Sequence, residues 1–157
     1  MPDAQVKIRL AAASDIEALT SLLQILFSIE EDFFFNKPLQ RRGLELMLTN
    51  ERCCVLVADV NGQAVGMCSG QLTISTAEGG PALLVEDMVV HEDYRRQGIG
   101  QRLMAEVAEW GKTKGVSRLQ LLADRNNALG LEFYKKLGWQ TTELICLRKP
   151  KHEAKVI

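Results

Sequence analysis

The chain has 157 residues, of which 46% are hydrophobic and 25% charged, and its formal net charge is −1. That length is enough to bury one good core, and the composition excludes a disordered, fibrous or repeat protein. Near-neutrality also excludes a global pull toward nucleic acid, so any basic function has to be local.

The start, Met1-Pro2-Asp3-Ala4-Gln5, has no cationic region followed by an apolar one, and no apolar run reaches membrane-spanning length. A soluble, cytoplasmic protein is expected. Gln5 to Leu10 alternates Val6, Ile8 and Leu10 with Gln5, Lys7 and Arg9, the pattern of a half-buried strand. Ser14-Asp15 then opens a helix, with Ser14 as N-cap and Glu17 at capping-box spacing. Ile16, Leu19, Leu22, Leu23, Leu26 and Phe27 keep the helical period. Three acids (Glu30, Glu31, Asp32) followed by three phenylalanines (Phe33, Phe34, Phe35) suit neither helix nor strand, and predict a loop or broken helix. A second helix is expected from about Leu39 to Leu48.

Cys53 to Val60 is an apolar strand, Asn61-Gly62 a hairpin turn, and Ala64 to Thr73 the return strand. A loop from Ser75 to Pro81 leads into a central strand, Ala82 to His91, so four strands follow one another antiparallel. The four cysteines (Cys53, Cys54, Cys68, Cys146) make no C-x-x-C, and neither His91 nor His152 completes a metal-ligand spacing. Buried free thiols and no metal are expected.

After the central strand comes Tyr94-Arg95-Arg96-Gln97-Gly98-Ile99-Gly100-Gln101-Arg102. A strand feeding a helix through such a turn presents a row of backbone N–H groups backed by the positive end of the helix dipole. Gly98 and Gly100 permit positive φ and close approach to a ligand, and Arg95 and Arg96 add cationic donors. A P-loop needs Lys-Ser/Thr after its second glycine, where Gln101-Arg102 stand; a Rossmann fingerprint needs glycine at Leu103. Both fail. An anion-binding loop and an ordinary turn with a basic patch remain open on these letters alone. The helix beginning at Gly98 runs to about Lys114, with Gly115 as its stop. Arg118 to Ala123 is a strand, and the strand–helix–strand unit implies a parallel pair. Asp124 to Asn127 turns into a short helix ending near Leu137-Gly138, Trp139 to Arg148 reads as a final strand, and residues 149–157 form a charged, loose tail.

The spacing Arg95-x-x-Gly98-x-Gly100, after a strand and before a helix, resembles the acyl-CoA pyrophosphate loop of the GNAT superfamily of N-acetyltransferases. The stretch Asn127 to Trp139, with Phe133-Tyr134 and Gly138-Trp139, resembles that family's late signature, except that Gly130 stands where an alanine is usual. The two motifs occur in the family's order, and the resemblance covers nearly the whole chain. It implies a single domain over residues 1–157 of α/β (α+β) class. A mixed central sheet of six to seven strands would be flanked by about four helices, in the order β-α-α-β-β-β-α-β-α-β.

It further implies acetyl-CoA as cosubstrate, without a metal, in a wedge where strands 82–91 and 118–123 splay apart. Arg95 and the amides of Arg96, Gln97, Gly98, Ile99, Gly100 and Gln101 would hold the pyrophosphate. Backbone groups of Met88, Val89 and Val90 would pair with the pantetheine arm, one N–H near Val90 would polarise the thioester carbonyl, and Asn127 would bond the arm. An amine acceptor has to lose a proton before attack. Glu86 is the candidate base; on this strand Glu86 and Asp87 are expected to point to opposite faces, so only one looks into the site. Tyr134 is the candidate acid for the departing thiolate. The alternative readings are a strand-edge partner for an arginine (Glu86) and a core tyrosine (Tyr134). Glu31, Asp32, Phe33 and Phe34 would border the acceptor, suiting a cationic amine, or would form a surface turn that tucks phenylalanines into the core. The expected acceptor is a small-molecule primary amine. A protein amine and a catalytically silent acyl-CoA-binding module stay open. Homodimers are usual in the family; no nucleic-acid or membrane partner is expected.

Overall fold

The computed structural model describes residues 5–30 and 32–150, which fall in two compact units, Met1–Leu121 and Leu122–Ile157. The first unit is built on one sheet of five strands: β1 (Val6–Leu10), β2 (Cys53–Val60), β3 (Gln63–Ser75), β4 (Gly80–Val90) and β5 (Leu119–Leu121). They lie in sequence order; β1 to β4 pair antiparallel and β5 pairs parallel to β4. The β2–β3 hairpin turns at Asn61 and Gly62, whose φ of 53° and 84° are those of a tight primed turn.

Helices α1 (Ile16–Ile29) and α2 (Lys37–Leu48) cover one face of this sheet. Leu19, Leu22, Leu23 and Leu26 of α1 and Leu44 of α2 form a core with Val55, Val57, Met67 and Val89. Helix α3 (Ile99–Thr113) lies against glycines of the sheet. A Cβ on Gly66 would stand 3.3 Å from Leu103 Cδ1, and one on Gly70 would stand 3.0 Å from Val107 Cγ2. Leu83 of β4 fits between two such hollows, with Cδ1 3.0 Å from a Cβ on Gly70 and Cδ2 3.0 Å from one on Gly111. The arginine of α3, Arg102, also donates from Nη1 to the Val6 carbonyl at 3.0 Å, tying the helix to β1.

The start of α1 differs from expectation. A short 3₁₀ turn, Ala13–Asp15, precedes it, and the closing carboxylate is Asp15, which accepts the Ala12 N–H at 2.7 Å, rather than a Ser14–Glu17 box. Arg9 holds Asp15 with two guanidinium nitrogens, at 2.7 and 2.9 Å, and Asp59 through Nε at 2.8 Å. The Arg9 bond holds both carboxyls below the ordinary range. Glu17 instead pairs outward with Lys37 and Arg41 of α2. Helix α2 begins two residues before the expected Leu39, because Asn36 caps it (Oδ1 accepts the Leu39 N–H at 3.3 Å) and Pro38 suits a first turn.

The second unit carries α4 (Ala128–Lys136). Its last residue is followed by Leu137 and then Gly138, whose φ of 93° stops the helix. The expected strand from Trp139 to Arg148 is not formed: Leu144, Ile145 and Leu147 are 83%, 72% and 85% exposed. Apolar residues favour a strand only where a ladder partner covers them. Among the described residues the sheet therefore has five strands, not six or seven, and the element order ends at α4. Cys146 lies in this segment and is exposed, contrary to the expectation of buried thiols, whereas Cys54 and Cys68 are buried and Cys53 half-buried.

Candidate active site

Between β4 and α3 the chain makes a 3₁₀ turn at Glu92–Tyr94, which the sequence had not signalled. His91 closes it, with Nδ1 accepting the Asp93 N–H at 3.2 Å. The backbone then takes positive φ at Arg96 (63°) and again at Gly98 (78°), the N-cap of α3. Gly98 is where glycine's freedom is used; Gly100 sits inside the first turn of α3 and has no positive φ, so that part of the expectation is corrected. A left-handed residue on either side of Gln97 curls successive amides toward a common side, a shape that suits an anion.

The six N–H groups from Arg96 to Gln101 donate to no acceptor among the described residues. Gly98 has no side chain to cap them, and Ile99, Gly100 and Gln101 are the first-turn amides that no intrahelical carbonyl reaches. A Cβ built on Gly98 would meet nothing within 4 Å, so the space above the turn is open. Arg95 is partly committed: its Nε braces the loop on the Val90 carbonyl at 2.9 Å. These features fit a diphosphate, whose oxygens would supply the missing acceptors.

The β4–β5 ladder runs through Leu83–Leu119, Leu84–Gln120 and Val85–Leu121 and stops there. From Glu86 to Val90, the stretch holding Met88, Val89 and Val90, β4 is paired to β3 and carries no ladder to β5. The register slips in the same place. Ser69 faces Glu86 and Met67 faces Val89, so β4 spends one more residue than β3 across the gap, and Asp87 absorbs it at φ 54°. The strict alternation that would put Glu86 and Asp87 on opposite faces does not run through this bulge. Burial raises both carboxyls; for Asp87, pushed up to about 6, the charge of Glu86 adds to it. The Ser69 hydroxyl, fully buried, lies 3.1 Å from the Glu86 carbonyl and 3.4 Å from Asp87 Oδ2. Sequence reasoning missed Ser69 and the bulge: only the tolerance of aspartate for left-handed backbone hints at it.

In the second unit, Asn127 caps α4, with Oδ1 accepting the Gly130 N–H at 3.0 Å. A Cβ on residue 130 would come within 2.7 Å of Asn127 Nδ2, so Gly130 makes room for that amide. Tyr134 is half-buried between Phe133 and Trp139, with ring centroids 5.2 and 6.1 Å away. Of the expected acceptor residues, Glu31 lies outside the described residues. Phe33 meets the Phe27 ring at 5.6 Å, while Asp32 is exposed and Phe34 is 90% exposed. A basic depression lined by Lys37, Arg41 and Arg42 lies on α2, but Lys37 and Arg41 already pair with Glu17. Burial pushes the Cys54 thiol up to about 12 and Cys68 higher still, so neither offers a thiolate. Among the described residues no cluster of His, Cys, Asp or Glu could hold a metal, and no helix is long and apolar enough to cross a membrane.

Residues 19–139 match the Acetyltransferase (GNAT) family. The chain belongs to that family. An uncharacterized N-acetyltransferase of Methanocaldococcus jannaschii is 26% identical over 72% of this chain and 50% of its own length, so the chain spans about half of that relative. An acetyltransferase of Pectobacterium atrosepticum is 26% identical over 92% of this chain and 94% of its own. Among solved structures, the aminoglycoside N-acetyltransferase AAC(6')-Iy, in complex with CoA, superposes with a TM-score of 0.83 at 19% identity, over 97% of this chain and 99% of that one. The GNAT fold is thus shared with an enzyme of quite different sequence.

Proposed function

We propose that this GNAT acetyltransferase moves an acetyl group from acetyl-CoA to a primary amine of a small molecule, by direct attack of the amine on the thioester. The observation that carries the reading is the run of six unanswered amides at the open start of α3. Those amides and Arg95 hold the diphosphate. The β4 edge from Glu86 to Val90 offers Met88, Val89 and Val90 backbone groups to an extended arm, as an added strand would use them. The Val90 N–H is the proposed donor toward the thioester oxygen, while its carbonyl accepts from Arg95.

The acceptor enters as an ammonium, and Glu86 takes one proton from its nitrogen. The free amine attacks the acetyl carbon, the C–S bond breaks, the thiolate leaves with a proton from Tyr134, and the second proton of the attacked nitrogen passes through solvent to restore the Tyr134 hydroxyl. Asn127 has committed Oδ1 to its helix, which leaves Nδ2 as its donor to the cofactor arm. A cationic small amine suits two carboxyls at the bulge and the acids near Asp32. The solved aminoglycoside acetyltransferase supports the same acceptor class. A cytoplasmic location, expected from the sequence, and homodimer formation, which is usual in the family, are part of this reading.

Thiol release from acetyl-CoA against a panel of amines tests it. Turnover on a small amine is expected, and Tyr134→Phe should lower turnover more than CoA affinity. Tight CoA binding with no turnover on any amine would replace the enzyme with a silent acyl-CoA-binding module; turnover on peptide amines alone would move the acceptor to proteins.

A further inference from the structure

We propose that the segment from Gln140 to Lys149 is a dimer interface: it pairs antiparallel with the same segment of a second copy, about a two-fold axis at Cys146. The inference gives the homodimer of the proposed reading its contact and rests on that homodimer.

The segment is bounded by Gly138, at φ 93°, and by Pro150, which cannot donate to a ladder. Between them Leu144, Ile145, Cys146 and Leu147 stand exposed in unbroken succession. Extended, such a run carries apolar side chains on both faces. It has the composition of a strand and no strand beside it.

The charges at its two ends say what fits beside it. In a symmetric antiparallel pair the two-fold axis keeps each side chain on the same face in both copies. Side chains directly opposite also share a face, so some residue must lie opposite its own copy. With residue 144 or 145 there, Glu143 falls against Ile145 or Leu147; with residue 147 there, Ile145 falls against Lys149. With Cys146 there, Glu143 meets Lys149 and Ile145 meets Leu147, each twice by symmetry. Leu144 then lies along the methylene stem of Arg148. Within residues 140–149 this symmetric register alone brings the acid opposite a base. Opposite charges and paired aliphatics directly across a ladder are the pairs that stabilise it. One ladder buries an edge rather than a broad face, so the dimer is a weak, concentration-dependent one.

The test uses the full chain. Sedimentation velocity in reductant, over a range of concentrations, should show a monomer–dimer equilibrium. Glu143→Lys sets two cations together at both ends and should raise the dimer dissociation constant about tenfold. Adding Lys149→Glu restores opposite charges in reversed order and should bring the constant back. Cys146 faces its own copy at a Cα separation of about 4.5–5.5 Å, within disulfide reach, so diamide should link wild-type copies through it, as mass spectrometry of the unreduced digest would locate. In a Cys146→Ser background, Ile145→Cys alone should link poorly, because its own copy lies across a diagonal of about 7–8 Å. Ile145→Cys together with Leu147→Cys should link readily. A monomer at every concentration overturns both the pairing and the homodimer. A dimer indifferent to Glu143→Lys and unlinked at Cys146 keeps the homodimer and overturns the pairing. Ile145→Cys alone linking as well as Cys146 overturns the register and the proposal with it. So does a loss in Glu143→Lys that Lys149→Glu fails to restore.

Discussion

Helices α2 and α4 start differently from α3. The first two are closed by an asparagine, Asn36 or Asn127, whose side-chain oxygen takes an N–H of the first turn. Helix α3 starts on Gly98, which has nothing to offer, and the curled turn before it adds further unanswered donors. A helix start can satisfy its own amides or leave them open to an anion, and this chain has closed starts at α2 and α4 and an open one at α3. The 3₁₀ turn before α1 shows a further variant, closed by the charged Asp15.

The difference can be erased most directly by Gly98→Asp. Aspartate tolerates the positive φ, and its carboxylate would take the place meant for phosphate oxygens and repel them. Like charges brought together cost several kcal/mol, so CoA affinity should fall about 100-fold or more by calorimetry while the melting temperature stays nearly level. Unchanged affinity would mean that the amides of α3 are not the anion site.

Closure by a charge should differ from closure by an amide in its response to acid. The folded-state pKa of Asp15 is depressed by Arg9, so its contribution is present above the ordinary carboxyl value of 3.8 and is lost as pH falls through the lower folded value. Chemical denaturation should show wild type losing stability below about pH 4, with Asp15→Asn flatter over that range and weaker at pH 7. The neutral caps Asn36 and Asn127 should add no such slope.

Removing a neutral cap should cost about 1 kcal/mol of stability. Asn36→Ala should do so without touching CoA affinity, whereas Asn127→Ala should lower both, if its Nδ2 reaches the cofactor. Equal CoA affinity for Asn127→Ala would reduce that residue to a cap.

The smallest effect separates space from propensity. Alanine in place of an interior helical glycine is worth up to about 1 kcal/mol. At Gly130 the new Cβ presses on the Asn127 amide, so Gly130→Ala alone should change stability by only a few tenths of a kcal/mol. In the Asn127→Ala background, where the amide is gone, the same change should recover most of that gain. Additive values would show that Asn127 turns aside at no cost.

Features that repeat along the chain were legible in the letters. The strand at Val6 and Ile8 (though Leu10, expected on the same buried face, is 60% exposed), the stripe of Leu19, Leu22, Leu23 and Leu26, and the turn at Asn61-Gly62 each carry their own geometry. The open start of α3 was legible for the same reason: glycine before a helix start is a local signal. What escaped depends on partners distant in sequence. The bulge at Asp87 exists because β3 and β4 differ by one residue between two pairings, and neither strand alone shows it. The Trp139–Arg148 stretch has a strand's composition, yet its apolar side chains stay exposed, and composition cannot supply a neighbour. Arg9 illustrates the middle case: its position on a strand was readable, but its grip on both Asp15 and Asp59 required the fold.

The seat of Leu83 between Gly70 and Gly111 gives the anion loop a remote anchor. Helix α3 lies on the sheet as a rigid rod, meeting Gly66 through Leu103 and Gly70 through Val107, with Gly111 near its far end about 18 Å from the open amides at 1.5 Å per residue. A methyl group added at Gly70 or Gly111 would press on Leu83 by a few tenths of an ångström, and whatever part of that its side chain does not absorb would be passed to the rod and its tip. On the proposed reading, the accuracy with which a diphosphate would be gripped is inherited from a contact that never meets the ligand.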